Sequence, residues 1–236
     1  MIGDMPTPKH LAITNTLRER CRDLPAGDRL PSEKELAVQF QVSRMTVRQA
    51  LDTLAAEGRV ERVPGSGTFV RRPTVAMGPN LSSFTEDMRA RGLLPHSRVI
   101  ALEELAAPPE VATDLGVDED DKVIRMERLR FADDEPMCLE VAYLPMRFRR
   151  ILDEADLEGS MHEALAKAGT VVAAGSRRVR AVTAPTRDAE LLGLPDRAPA
   201  LEIVDVFCDS NRRPVHRSRS RYRFDRYEVM SELHRA

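Results

Sequence analysis

The sequence predicts an α+β protein in two parts: a small helical region closed by a β-hairpin, then an antiparallel sheet with helices. Three observations predict it. Two helix-start signals and a 3.6-residue apolar period fall within residues 30–58. A glycine-rich turn between two short β-prone runs follows directly. Beyond about Ser83, a helix–strand–strand pattern occurs twice.

The elements follow in order. Ile13, Leu17 and Cys21 recur at helical spacing, predicting a first helix with that face in a core. Ser32 with Glu35 three residues later has the spacing of a capping box and starts a helix that runs to about Phe40. Gln41 and Val42 make a tight turn, and Ser43 offers a second N-cap. From Arg44, the apolar residues Val47, Ala50, Leu51 and Leu54 fall on one helical face, and Gly58 suits the C′ position. Arg59–Val63 reads as a strand, Pro64-Gly65-Ser66-Gly67 as a turn, and Thr68-Phe69-Val70 as the returning strand. This succession is a winged helix-turn-helix, whose second helix reads base edges from its N-terminal end. Arg44, Thr46, Arg48 and Gln49 lie at that end, and a glycine tip lets the hairpin backbone approach a groove. The implied partner is duplex DNA.

The formal net charge of the 236 residues is −2, and it is unevenly spread. Residues 1–72 hold 12 Lys+Arg against 9 Asp+Glu, and residues 73–236 hold 24 against 29. The positive surplus lies with the helix-turn-helix, where phosphates require it. Cys21, Cys138 and Cys208 match neither a disulfide framework nor a zinc spacing, which fits a reducing cytoplasm. The sequence shows no membrane-spanning apolar run and no signal-peptide pattern. A cytoplasmic protein without metal or cofactor is expected.

Three segments are predicted: residues 1–72 as the DNA-binding domain, 73–82 as a linker with two prolines and a glycine, and 83–236 as a second domain. Within it, residues 108–144 and 184–222 repeat weakly. Each copy has a short helix ending in Leu-Gly, a turn, a strand, a polar turn with proline, and another strand. Gly116 matches Gly193, Met126 matches Ile203, and Pro136 matches Pro214. Two such units predict one antiparallel sheet with helices on one side.

Strand alternation then sorts side chains. Ile124, Met126, Arg128 and Arg130 share a face. The two arginines form either a partly buried anion site or ion pairs with carboxylates such as Glu140. Further on, Arg217, Arg219, Arg221 and Arg223 line one face, as a second nucleic-acid patch or as a salt-bridged surface. His216, Ser218, Ser220, Tyr222 and Phe224 line the other, with the polar groups and aromatic of a small-molecule pocket. By the repeat, His216 and Ser218 correspond to Cys138 and Glu140, which places the pocket between the two halves. Ser160 caps a helix over Met161–Ala168, whose N-terminus suits an anion.

These residues resemble the GntR superfamily of bacterial regulators, and more closely its HutC-type subfamily. The first domain carries the likeness at Leu30-Pro31-Ser32-Glu33, at Val42-Ser43-Arg44-Met45-Thr46-Val47-Arg48 and at Gly65-Ser66-Gly67-Thr68-Phe69-Val70. The resemblance implies DNA contacts by Lys34, Arg44, Thr46 and Arg48, with Gly65 entering the minor groove. The second domain resembles the UTRA effector-binding domain, which shares its fold with chorismate lyase. Its motifs are Ser83-Phe84-Thr85-Glu86-Asp87-Met88, Arg128-Leu129-Arg130, Glu135-Pro136-Met137 with Glu140, and Asp225-Arg226-Tyr227. The resemblance implies that Ser83, Phe84, Thr85, Arg128, Arg130 and Ser160 hold a phosphate or the nearby ligand. It also implies that Glu140 and Tyr222 face a sugar. Two positions depart: His162 stands where tyrosine is common and His216 where glutamate is common. The expected effector is therefore a small anion, a sugar phosphate or carboxylate, that differs from the usual amino-sugar phosphate. The expected function is a homodimeric, ligand-responsive repressor on a pseudo-palindromic operator, with no membrane partner. An enzyme with a DNA-binding appendage would need turnover of its ligand, and a constitutive DNA-binding module would show no ligand response.

Overall fold

The structure, a computed structural model, describes residues 9–24, 26–71, 75–78 and 81–230. It divides into a unit up to Thr74 and a unit from Val75 onward.

In the first unit, α1 (Lys9–Asp23), α2 (Glu33–Gln39) and α3 (Arg44–Ala56) surround an apolar cluster that includes Leu17, Leu36, Val47, Leu51 and Leu54. Both start signals are used as expected. The Ser32 hydroxyl accepts from the Glu35 N–H while the Glu35 carboxylate accepts from the Ser32 N–H, and Ser43 caps α3 through the Thr46 N–H. Gln41 takes a φ of 53° to close the turn between α2 and α3. Strands β1 (Val60–Val63) and β2 (Gly67–Val70) form the antiparallel wing.

The second unit is built on a six-stranded antiparallel sheet in the order β4-β5-β6-β9-β8-β7. These strands are β4 (Pro95–Ala106), β5 (Lys122–Ala132), β6 (Glu135–Pro145), β7 (Ala174–Thr183), β8 (Pro199–Cys208) and β9 (Pro214–Arg223). The expected repeat is present and longer than the sequence disclosed. A strand precedes each helix, so β4-α5-β5-β6 is followed by β7-α8-β8-β9, with α5 at Pro109–Leu115 and α8 at Thr186–Leu192. The two halves meet where β6 pairs with β9.

Helices cover both faces of the sheet, not one. Val123 packs with Val111 of α5, and Leu129 and Leu139 pack with Leu192 of α8. On the opposite face, Ile124 and Met126 pack with Leu152 of α6 (Arg149–Glu154) and with Met161 and Leu165 of α7 (Met161–Lys167). Alternation makes the even positions of β5 face one layer and the odd positions the other, and both layers are apolar at their ends. The stretch 73–82, expected as a linker, supplies β3 (Val75–Met77), which pairs in parallel with β10 (Tyr227–Val229). Val75 and Met77 join a cluster with Met88, Met137 and Tyr227.

The arginine face of β9 is salt-bridged. Arg217 pairs with Asp114 and Glu110, Arg221 with Asp188 and Glu202, and Arg223 with Asp225. The carboxylates come largely from α5 and α8, which fixes these helices on the sheet. Among the described residues, no helix is long and apolar enough to cross a membrane.

Candidate functional site

In the first unit, the residues expected at DNA are at the surface: Lys34, Arg44, Arg48 and Gly65 are exposed and Thr46 is half-buried. Thr46 shares a hydrogen bond with the Ser43 hydroxyl at 2.9 Å, at the first turn of α3. Gly65 has a φ of 77°, in the left-handed region that glycine adopts without strain. Arg48 is not free-standing: its Nε and Nη2 donate to Glu33 at 3.3 and 2.9 Å. That contact holds the Glu33 carboxyl below its ordinary value. Arg62 of the wing also donates to Glu33 and to Asp52. One carboxylate at the start of α2 thus ties α3 to the hairpin.

In the second unit, the arginines of β5 meet at Glu140 of β6. Arg128 Nε and Nη2 donate to Glu140 Oε2 at 3.0 and 2.6 Å, and Arg130 Nη1 donates to the same atom at 2.9 Å. Of the two arrangements the sequence left open, a site for an external anion or ion pairs with a carboxylate such as Glu140, the structure shows the ion pairs. Arg128 completes its set on the carbonyls of Leu157 and Gly159, just before α7. Arg130 Nη2 donates to Thr85 of α4 (Phe84–Ala90), and its guanidinium lies 4.6 Å from the Phe84 ring centre. Arg130 Nε is buried with no hydrogen-bond partner. Two guanidinium groups, 1% and 4% exposed, therefore share one carboxylate.

The electrostatics follow from that sharing. Burial alone would raise the Glu140 carboxyl, but Arg128 and then Arg130 hold it well below the usual carboxylate range. Burial first, and the neighbouring Arg130 second, push Arg128 down to about 10. Burial pushes the Cys138 thiol up to about 12, which makes it an unreactive core group.

The two departing histidines touch. His162 Nε2 and His216 Nε2 are 2.9 Å apart, so one ring donates and the other accepts. Phe207 of β8 stacks on His216 at 4.5 Å and meets His162 edge-on at 4.9 Å. Burial lowers both histidines, and His216 is driven well down with His162 as the second cause. His216 Nδ1 is buried without a partner. Burial thus disfavours charge on the pair, which meets nitrogen to nitrogen as one donor and one acceptor.

These groups surround a small cavity of about 40 Å³ between the two halves of the sheet. Of the residues expected to bind an effector, Ser83, Phe84, Arg128, Arg130 and Glu140 line it, as do Ser160, His162, His216 and Tyr222. Thr85 does not line it; it is buried and holds Arg130. Ser83 and Ser160 act as N-caps of α4 and α7, accepting from Glu86 and Glu163 N–H groups at 3.2 Å each. The Arg177–Asp205 pair on the cavity wall was not anticipated. Its bonds are 2.7 and 3.0 Å, and no local pattern links residues on two different strands. A larger groove of about 430 Å³ beside α7 mixes the carboxylates Glu154, Asp156 and Glu163 with Arg89 and Lys167; Arg89 is paired with Glu163, and Ser160 borders both this groove and the small cavity. Among the described residues, no cluster of three or more metal-ligating side chains occurs.

Comparison with known proteins agrees with both units. Residues 11–70 match the model of bacterial regulatory proteins of the gntR family, and residues 90–228 match the UTRA domain. The chain is 33% identical over 234 residues to the HTH-type transcriptional repressor NagR of Bacillus subtilis, covering 98% of this chain and 96% of that one. It is 30% identical over 225 residues to the mannosyl-D-glycerate transport/metabolism system repressor MngR of Escherichia coli, covering 94% of each. The crystal structure of PhnF from Mycobacterium smegmatis superposes with a TM-score of 0.70 at 32% identity, over 94% of this chain and 99% of that chain.

Proposed function

The chain belongs to the GntR family of bacterial regulatory proteins and carries a UTRA domain, and from that premise we propose that it is a transcriptional repressor released or retained by a small anionic metabolite. It binds a pseudo-palindromic operator as a homodimer, one α3 per half-site, with Lys34, Arg44, Thr46, Arg48 and Gly65 at the DNA. The relatives named as repressors support the sign of regulation. The effector acts by binding one state of the protein better than another.

One observation carries the choice of an anion: two buried guanidinium groups share a single carboxylate, and one of them keeps an unpartnered Nε. A phosphate or carboxylate supplies the missing negative charge. Glu140 and the two histidines share the cavity wall and offer acceptors and a donor beside that anion.

A thermal-shift series tests this reading with sugar phosphates, their unphosphorylated parents and urocanate. A ligand that binds only the native state raises the melting temperature. A rise with phosphate esters and none with their parents supports the phosphate reading. No rise with any anion returns Arg128 and Arg130 to a purely structural role. The DNA half is tested on duplexes that the protein selects from a random library. Arg44→Ala is expected to weaken binding to them by about 1–3 kcal/mol while random duplexes lose less. Equal loss on both would make Arg44 a phosphate contact only.

A further inference from the structure

The polar cavity is too small for a whole sugar phosphate. Its 40 Å³ is the room of a few water molecules, each needing about 10–15 Å³, whereas small-molecule sites span about 300–1,000 Å³. A phosphate or carboxylate head fills it, and the rest of any ligand must go elsewhere.

A second cleft adjoins it. This cleft, of about 340 Å³, shares Arg177, Asp205 and Phe207 with the polar cavity and continues along the edge strand β7 past Ala174 and Gly175 to Leu81. The shared wall is the Arg177–Asp205 pair, held by two bonds and neutral as a unit. The far side is largely apolar. Gly175 leaves this wall without a side chain: a Cβ there would lie 2.9 Å from the Val206 carbonyl oxygen, 3.4 Å from the Leu81 side chain and 3.5 Å from the Phe207 ring. Leu81 closes on bare backbone, and it is 44% exposed, a large apolar side chain left open to solvent. An apolar cavity of about 150 Å³ takes a benzene ring, so this cleft has room for an aryl or short acyl group.

We propose that the effector is a two-part molecule that straddles the Arg177–Asp205 pair, with its anionic head on Arg128 and Arg130 and an apolar substituent in the cleft beside β7. The inference rests on the anionic-effector reading above and names the chemical class that reading leaves open: an acid or phosphate ester carrying an apolar group, rather than a bare sugar phosphate. Phe207 serves both chambers, stacking on His216 on one side and walling the cleft on the other.

Calorimetric titration of the full-length protein with inorganic phosphate, methyl phosphate and phenyl phosphate tests it. Phenyl phosphate is expected to bind at least about tenfold tighter than methyl phosphate, the gain from burying a ring. Leu81→Ala, at an exposed side chain that folding does not need, is expected to reduce the gain as an independent check. Equal affinity for the methyl and phenyl esters overturns the two-part ligand and leaves the anion site standing. Absence of binding by all three removes the anion site, and the inference with it. If Leu81→Ala changes the sedimentation behaviour and not the aryl preference, the cleft is a face between copies of the chain, and the proposal falls.

Discussion

The two halves of the large unit share a chain trace and differ in chemistry. Both run strand, helix, strand, strand, and both helices begin at a proline N-cap, Pro108 or Pro185. Each ends on a left-handed glycine, Gly116 at φ 63° and Gly193 at φ 64°. The hairpins keep equivalent register. Arg128 lies opposite Glu140 in one half, and Asp205 opposite Ser218 in the other. Arg130 lies opposite Cys138, and Phe207 opposite His216. At one pair of places the first half puts two cations and their anion. At the matching places the second half puts a carboxylate turned to Arg177 and an aromatic stack. The repeat supplies a symmetric frame, and the pocket exists because the frame is filled asymmetrically: one wall binds charge, the other offers rings and imidazole nitrogens.

The strongest way to break that contrast is to empty the charged wall. Glu140→Leu leaves Arg128 and Arg130 buried without their anion. Breaking a buried ion pair by removing one partner costs about 3–5 kcal/mol. Ser218→Ala, at the equivalent place in the other half, is expected to cost no more than about 1 kcal/mol. Urea denaturation of both variants measures the difference. Similar losses at the two places would mean that the halves are energetically alike and that the charge cluster is not where the asymmetry lies.

The second test uses pH and the aromatic wall. His216 is held well below its ordinary value by burial and by His162. Below about pH 6.5 the unfolded chain therefore binds a proton that the folded chain refuses. Stability is full above that pH and falls as the pH drops toward the folded value, by at most about 1.4 kcal/mol per pH unit from this group. Glu140 acts in a separate window: its carboxyl is depressed, so its contribution holds above the ordinary carboxylate value and is lost as the pH falls beneath it. His216→Phe keeps a ring against Phe207 and is expected to reduce the dependence between pH 7 and pH 5, leaving the smaller part due to His162, which burial also lowers. If the slope is the same in the variant, His216 is not the group that refuses the proton.

Much of this frame was legible in the sequence, because the signals were local. Ser32 with Glu35, Ser43 before an apolar period, and Gly116 with Gly193 each specify a feature within a few residues. Ser83 with Glu86 carries the same capping-box spacing and could have been read as the start of α4. What escaped reading was long-range. Strand β7 shows no buried alternation, since its arginines are answered by carboxylates of the neighbouring strand. Val75–Met77 is too short to announce a strand, and its partner lies near the far end of the chain. Arg128 and Arg130 were found by alternation, but only the fold shows that Glu140 Oε2 receives both. Likewise, two histidines on different elements give no local sign that their rings meet.

The smallest expected effect tests the frame itself. A Cβ at Gly116 or Gly193 would have nothing within 4 Å, so substitution adds no clash at either place. What remains is the backbone: a φ near 63° puts an L side chain against its own carbonyl, at about 1–2 kcal/mol per residue. Alanine also narrows the unfolded ensemble, which returns up to about 1 kcal/mol. Gly116→Ala and Gly193→Ala should therefore each lose about 1 kcal/mol, and by nearly the same amount. Differential scanning calorimetry of the two variants reads this as two equal, small drops in melting temperature. A loss confined to one glycine would show that the helix ends are held differently, and the symmetry would then reach no further than the trace of the chain.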